Sequence, residues 1–419
     1  MKKKLRIFSL IFLIITSLAA CNMAESSKSD TLNKKDFERR IRKDDVRNKR
    51  YPEIDAYIEK NKKEKEKEKE ETKTASLLFG GDIIPHMPIN DYALNYGEGV
   101  HDYSRSFEDI KDFAEDFDFF MLNNEFSVNG DYEVSGYPLF NCNENIYKAI
   151  KDSGVDLLTT ANNHCLDTGV EGLTSTIEAI KKHGLDYVGT SESSYRPYVI
   201  KEVNGIRIGI LSYTEILNGN DYLLDTKEKY NMVNTLDPHQ VKTDIEKLKK
   251  KNVDLIVVYP HWGEEYSSYP REDQIELAHD MVDWGADIVI GNHPHVIQPQ
   301  EVYKGKDGRS GLIYYSLGNL LSNQKAEAFE GDYRVEQGLL VECNIEKKPG
   351  DKAKIKSFKS HTTIVDRSFD EYGYLDKTYV ATRYLDDDDL MATLDYGTQD
   401  LIRLGNEMNL DTLYKEIEE

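Results

Sequence analysis

Asp82, Glu125, Asn163, His164, His261, His293 and His295 are scattered over more than two hundred residues, yet each closes a short apolar run. Singly they are ordinary. An Asp after two glycines suits a turn, Asn-Asn-Glu after a strand suits a helix cap with a first-turn carboxylate, and one His near a strand end suits structural packing. Together they offer imidazole, carboxylate and amide oxygen with no thiolate, the donor set of divalent Mn, Fe or Zn. Gly291-Asn292-His293-Pro294-His295 also sets two imidazoles two residues apart around a proline that restricts the backbone. In one site Asp82 and Glu125 would repel each other, and a shared cation removes that conflict. His101, His183, His239, His279 and His361 lack this setting and read as structural or surface groups.

The elements that must position these residues are legible as apolar runs leading into polar clusters: 76–82, 118–125, 156–164, 254–263, 287–295 and 312–319. Runs of four to six Val, Ile, Leu, Phe and Tyr without alternation predict strands buried on both faces. Helical patterns over 145–153, 169–183, 241–250 and 273–284 separate them. Strand–helix–strand repetition predicts crossovers and a largely parallel arrangement. The carboxyl ends of such strands share an edge, where open α/β proteins build ligand sites.

The ordered set Gly81-Asp82, Asn124-Glu125, Ala161-Asn162-Asn163-His164 with Asp167, His261-Trp262-Gly263 with Glu265-Tyr266, Gly291 to His295, and Ser316-Leu317-Gly318-Asn319 resembles the CapA family. These are poly-γ-glutamate capsule synthesis proteins, a branch of the metallophosphoesterase (calcineurin-like) superfamily. The resemblance covers residues 74–325. It implies an α/β fold, a metallophosphatase-like four-layer sandwich of two mixed β-sheets flanked by helices, with two divalent metal ions at the strand ends. On the matching positions it implies that Asp82 binds one ion and Glu125 bridges both. Asn163, His261 and His293 then bind the second, His295 closes the first, and His164 stabilises developing charge or protonates a leaving group. Two departures stand out. The superfamily's Asp-x-His opening has Ile84 here, leaving His86 as the nearest candidate at a different spacing, and the bridging carboxylate is Glu, as in the CapA branch.

The function so implied is capsule synthesis, export or anchoring beside a membrane-bound poly-γ-glutamate synthase, with metal-assisted hydrolysis at a phosphoryl or carbonyl centre. A surface phosphoesterase or peptide-bond hydrolase unrelated to capsule is the alternative. Asn124 and Asn319 are candidates for contact with an anionic polymer or phosphoester substrate. Glu265 would bind substrate, orient His261 or stay at the surface; Trp262 and Tyr266 would stack on substrate or pack in the core.

Charge is segregated along the 419 residues, whose net value is −22. Residues 1–20 carry Lys2, Lys3, Lys4 and Arg6 before a short apolar run ending Leu18-Ala19-Ala20-Cys21. That pattern predicts a secretory leader resembling a bacterial lipobox, with Cys21 lipidated and the protein anchored on the extracytoplasmic face of the cell membrane. Residues 21–73 alternate in sign and predict a charged stalk, with 17 basic and 14 acidic residues. The body, 74–419, then holds 33 Lys+Arg against 62 Asp+Glu, a net −29, which excludes bulk nucleic-acid binding. Segments 338–345 and 352–365 predict strands that complete a second sheet, followed by a helical tail over 390–419. Cys165, beside His164, is a nucleophile or a buried neighbour of the site.

Overall fold

The structure, a computed structural model, describes residues 71–415 and 417; the leader, Cys21 and the stalk to residue 70 lie outside them. Fourteen strands are present among the described residues. β1 (Lys73–Ile84), β2 (Phe119–Asn124), β3 (Leu157–Thr159) and β4 (Asp186–Val188) run parallel in one sheet. β5 (Tyr198–Val203), β6 (Ile206–Thr214), β7 (Leu255–His261), β8 (Ile288–Ile290), β9 (Gln300–Lys304) and β10 (Ser310–Tyr314) form a second sheet, ordered β5-β6-β7-β8-β10-β9. β11 (Asn319–Ser322) returns to lie parallel to β1. β12 (Gln337–Lys347), β13 (Lys354–Asp370) and β14 (Gly373–Val380) extend the first sheet antiparallel on its β1 side.

Both sheets are mixed, and alternation sorts their side chains into layers. Leu77, Phe79 and Met121 of the first sheet meet Ile208, Leu255, Val257, Ile288 and Tyr314 of the second. The intervening residues point outward. Leu78, Phe120 and Leu158 pack beneath Phe107, Ile150 and Ile177 of the helices Ser104–Ala114, Ile146–Asp152 and Gly169–Lys182. Val258 and Val289 pack beneath Val241, Ile245 and Met281 of the helices Pro238–Lys250 and Glu272–Trp284. The result is the expected four-layer α/β sandwich. Burying one such Leu, Ile or Phe fully contributes about 1.5–3 kcal/mol.

One expectation about the C-terminal part is corrected. Its strands join the sheet of β1, because Lys73–Gly80 offers β12 a full antiparallel ladder. The terminal helix, Tyr396–Leu413, buries Ile402, Gly405, Asn409 and Leu413, while Leu404 and Leu410 face solvent. Gly405 sets that face, since a Cβ there would lie 2.2 Å from Ile364 Cδ1.

β1 passes β11 very closely at Gly81. A Cβ at this position would stand 2.0 Å from the Gly318 carbonyl oxygen, which accepts the Asp82 N–H at 3.0 Å. Gly81→Ala should therefore push the two strands apart and cost about 2–3 kcal/mol in urea unfolding; unchanged stability would show that the approach is dispensable.

Candidate metal centre

The carboxyl ends of parallel strands from both sheets converge on one edge. Asp82 reaches it through irregular register: β1 slips against β2 between Phe79 and Asp82 and against β11 between Asp82 and Ile83. Strict alternation from Leu77 and Phe79 would point Asp82 toward the helices, and the irregularity re-aims it. Glu125 follows β2, Asn163 and His164 follow β3, His261 ends β7, and His293 and His295 follow β8. His293 and His295 sit at φ 101° and 58° around Pro294, strained values for residues with a Cβ. Hydrogen bonds hold the loop there: Asn292 N–H donates to Pro260 O at 3.1 Å, and Tyr266 N–H to Pro294 O at 2.7 Å.

Asp82 and Glu125 are both 0% exposed. Three sets of donor atoms lie within 4.8 Å of one another: Asp82/Glu125/His295 and Glu125/His261/His293, which share Glu125, and Glu265/His293/His295. His295 Nδ1 stands 3.2 Å from Asp82 Oδ2, and His261 Nε2 and His295 Nε2 each stand 3.6 Å from Glu125 Oε1. Asn163 Oδ1 lies 2.8 Å from His261 Nε2. Burial, then the Asp82 charge, pushes the Glu125 carboxyl well above its usual range. Burial, then the neighbouring imidazoles, pushes His261 well below its ordinary value and His293 down to about 3. Neutral imidazoles around buried carboxylates suit a cation better than ion pairs with each other. Glu125 Oε1, His293 Nδ1 and His295 Nδ1 are buried without a hydrogen-bond partner, a costly state for polar atoms. The donor set fits divalent ions.

His164 is held differently. Its Nδ1 lies 2.7 Å from Asp167 Oδ2, which also accepts the Phe140 N–H at 2.6 Å. The carboxylate fixes the proton on Nδ1 and leaves Nε2 as the working atom. His86 and His164 each meet the Phe140 ring edge-on, at 5.0 and 4.8 Å. It belongs to no three-ligand set among the described residues. Its Nδ1 lies 3.0 Å from Ile84 O and 3.3 Å from Asn323 N, and burial lowers its pKa to about 4.

The candidates for substrate contact divide. Glu265 is exposed at the mouth, with a carboxylate oxygen in reach of His293 and His295. Tyr266 is half-buried, 6.1 Å from the His295 ring, with its hydroxyl accepting from Gln324 at 3.2 Å. Trp262 is fully buried against Tyr315 and donates to its carbonyl at 3.1 Å, so it offers no face to a ligand. Asn124 turns to the Phe126 carbonyl at 2.8 Å, and Asn319 to Gln324 and the Val335 carbonyl, both at 2.8 Å; both amides serve the scaffold. Cys165 is buried and its thiol is pushed up to about 12, so it is a packing neighbour. Cys142, Cys165 and Cys343 are all free thiols.

Sequence reasoning missed Asn123. Its amide nitrogen donates to Asp82 Oδ1 at 2.7 Å and lies 3.4 Å from both Glu125 Oε2 and His261 Nδ1. The signal was the period of β2: Phe119 and Met121 face the other sheet, so Asn123 does too. Arg271, the smallest contributor to the lowered His293 pKa, has its charge already paired with Glu215 and Asp273 at 2.6 and 2.9 Å.

Residues 76–324 match the family described as bacterial capsule synthesis protein PGA_cap. That is more than half of the chain, and the chain belongs to this family. It is 41% identical over 186 residues to the capsule biosynthesis protein CapA of Bacillus anthracis, covering 43% of each. It is 35% identical over 208 residues to the PGA biosynthesis protein CapA of Bacillus subtilis, covering 49% of this chain and 51% of that one. The matched stretch thus spans about half the length of these relatives or less. Among solved structures, the calcineurin-like phosphoesterase YfkN of Bacillus subtilis superposes with TM-score 0.42 at 20% identity, over 70% of this chain and 91% of that chain.

The raised Glu125 pKa makes a thermodynamic prediction. A metal-free folded state that keeps this proton loses stability as pH rises above the ordinary carboxyl value of about 4.3. In chelator at pH 7, Glu125→Gln should therefore be at least as stable as the native chain. With Mn²⁺ at about 100 times its Kd the native chain should gain about 2.7 kcal/mol, and the variant and His293→Ala should lose most of that gain. Equal gains in all three by thermal melting would reject Glu125 and His293 as ligands.

Proposed function

We propose that this chain is a metal-dependent hydrolase-type protein of poly-γ-glutamate capsule synthesis, acting at the outer face of the cell membrane. The observation that carries the chemistry is the buried Glu125, shared by two donor sets in which Glu125 Oε1, His293 Nδ1 and His295 Nδ1 have no hydrogen-bond partner. Family membership and the CapA names of its relatives support the capsule role; the basic leader ending at Cys21 supports the location.

Asp82, Glu125 and His295 would hold one divalent ion, and Glu125, Asn163, His261 and His293 the other. Such ions supply Lewis acidity toward a carbonyl or phosphoryl oxygen and lower the pKa of a water. The chain's own residues do the rest. Asn123 keeps the Asp82 carboxylate in place through its 2.7 Å bond. The Asp167–His164 pair presents Nε2 to take up or deliver a proton at the leaving group.

The assay is turnover of γ-glutamyl peptides and generic phosphoesters with Mn²⁺. His164→Ala should lower kcat by about 10²–10⁴ while leaving the metal-dependent stabilisation intact. Asp167→Asn should fall in the same direction and change the pH profile. Turnover of phosphoesters alone, together with unchanged surface polymer after deletion of the gene, would replace the capsule role with that of a surface phosphoesterase. Full activity in His164→Ala would reject the proton-transfer role.

A further inference from the structure

The strands that end at the metal edge begin beside a second feature. A cavity of about 780 Å³ opens at the other end of the second sheet, floored by Leu255, Ile256, Leu312, Val302, Ile355 and Phe358. β7 links the two, with Leu255 in the cavity and His261 at the metal edge, roughly 20 Å of strand apart. The rim holds Lys249, Arg309, Lys352, Lys354 and Lys356 against two carboxylates, Asp254 and Asp287. Both carboxylates are already engaged. Asp254 accepts the Arg207 N–H at 2.9 Å and pairs with Lys347 at 2.8 Å. Asp287 accepts the Ile256 N–H at 2.8 Å and pairs with Arg309 at 3.2 Å.

Lys354 and Lys356 are exposed, and Lys356 reaches Glu346 only at 3.9 Å. Phe358 is 37% and Val302 55% exposed. Arg309 also pairs with Asp307 at 2.7 Å, and Lys249 and Lys352 donate to the Trp284 and Val253 carbonyls. A body of net charge −29 thus still sets five cations against two carboxylates around an apolar floor at one end, with Lys354 and Lys356 the most open of them. β1 also starts at this end: Lys73 pairs in register with Lys347, whose ammonium holds Asp254 of the cavity. The described chain therefore begins on the side opposite the metal edge.

We propose that this basic-rimmed cavity seats an anionic phospholipid and docks the body on a membrane surface with the metal edge facing away. The lysines meet the headgroup phosphate and the floor takes the start of an acyl chain. A soluble polyanion would satisfy the rim but leave the apolar floor wet, which is why the geometry favours a lipid. The proposal is independent of the chemistry assigned to the metal edge.

The test uses the full chain with Cys21→Ser, which removes acylation, on vesicles with and without phosphatidylglycerol in a phosphatidylcholine background. The protein should bind the anionic vesicles more tightly, and adding Lys354→Glu and Lys356→Glu should reduce that preference at least about tenfold. The basic leader is common to both proteins, so the difference reports the rim alone. An unchanged far-UV circular dichroism spectrum and melting temperature show that the variant is folded. A preference unchanged by the two substitutions overturns the proposal. So does a native preference near one, and if soluble poly-γ-glutamate then binds through the same lysines, the rim belongs to the polymer instead.

Discussion

Two carboxylates with no access to water stand at the meeting of two sheets, and the local design follows from that. Asp82 and Glu125 are 0% exposed, and no Lys or Arg forms an ion pair with either among the described residues. Their neighbours are imidazoles, two of them held neutral by burial, and one amide, that of Asn123. Uncompensated burial of like charges costs several kcal/mol per group. Such a cluster persists in a folded protein when a cation completes it, and the orphaned donor atoms face the place where it would sit.

The scaffold concentrates its irregularities around this cluster. Gly81 permits the close pass of β1 and β11, the slipped register of β1 re-aims Asp82, and His293 and His295 accept left-handed backbone around Pro294. Away from the edge, alternation is regular and the layers are apolar. Strain gathered at one place while the rest of the fold obeys simple periodicity is what a preorganised site requires. The opposite end of the same strands differs, with cations around an apolar floor, so the two ends of the sandwich carry different chemistry.

Much of this was legible in the sequence. The six apolar runs ending in polar clusters correspond to β1, β2, β3, β7, β8 and β10, and four helical patterns fall within about three residues of their observed bounds. Asp82, Glu125, Asn163, His261, His293 and His295 come together because strand ends in an α/β fold share an edge. What was not legible depends on side-chain direction and long-range pairing. Asn124 was read in place of Asn123 because the motif was read linearly, without applying the two-residue period of β2. The hairpin of β5 and β6, turning at Asn204-Gly205 with φ 49° and 77°, went unread although Asn-Gly between apolar runs is a strong hairpin signal. The sheet that β12 to β14 would join could not be read, since strand partners are set by the whole assembly.

The central claim is that the Glu125-centred cluster is a divalent metal site. Crystals of the protein grown with Mn²⁺ and measured at the manganese absorption edge test it most directly. The account predicts anomalous density between Glu125 and His261/His293, and a second peak between Glu125 and Asp82/His295. An edge of the sandwich without anomalous density, and with Asp82 and Glu125 still packed against the neutral imidazoles, would contradict it.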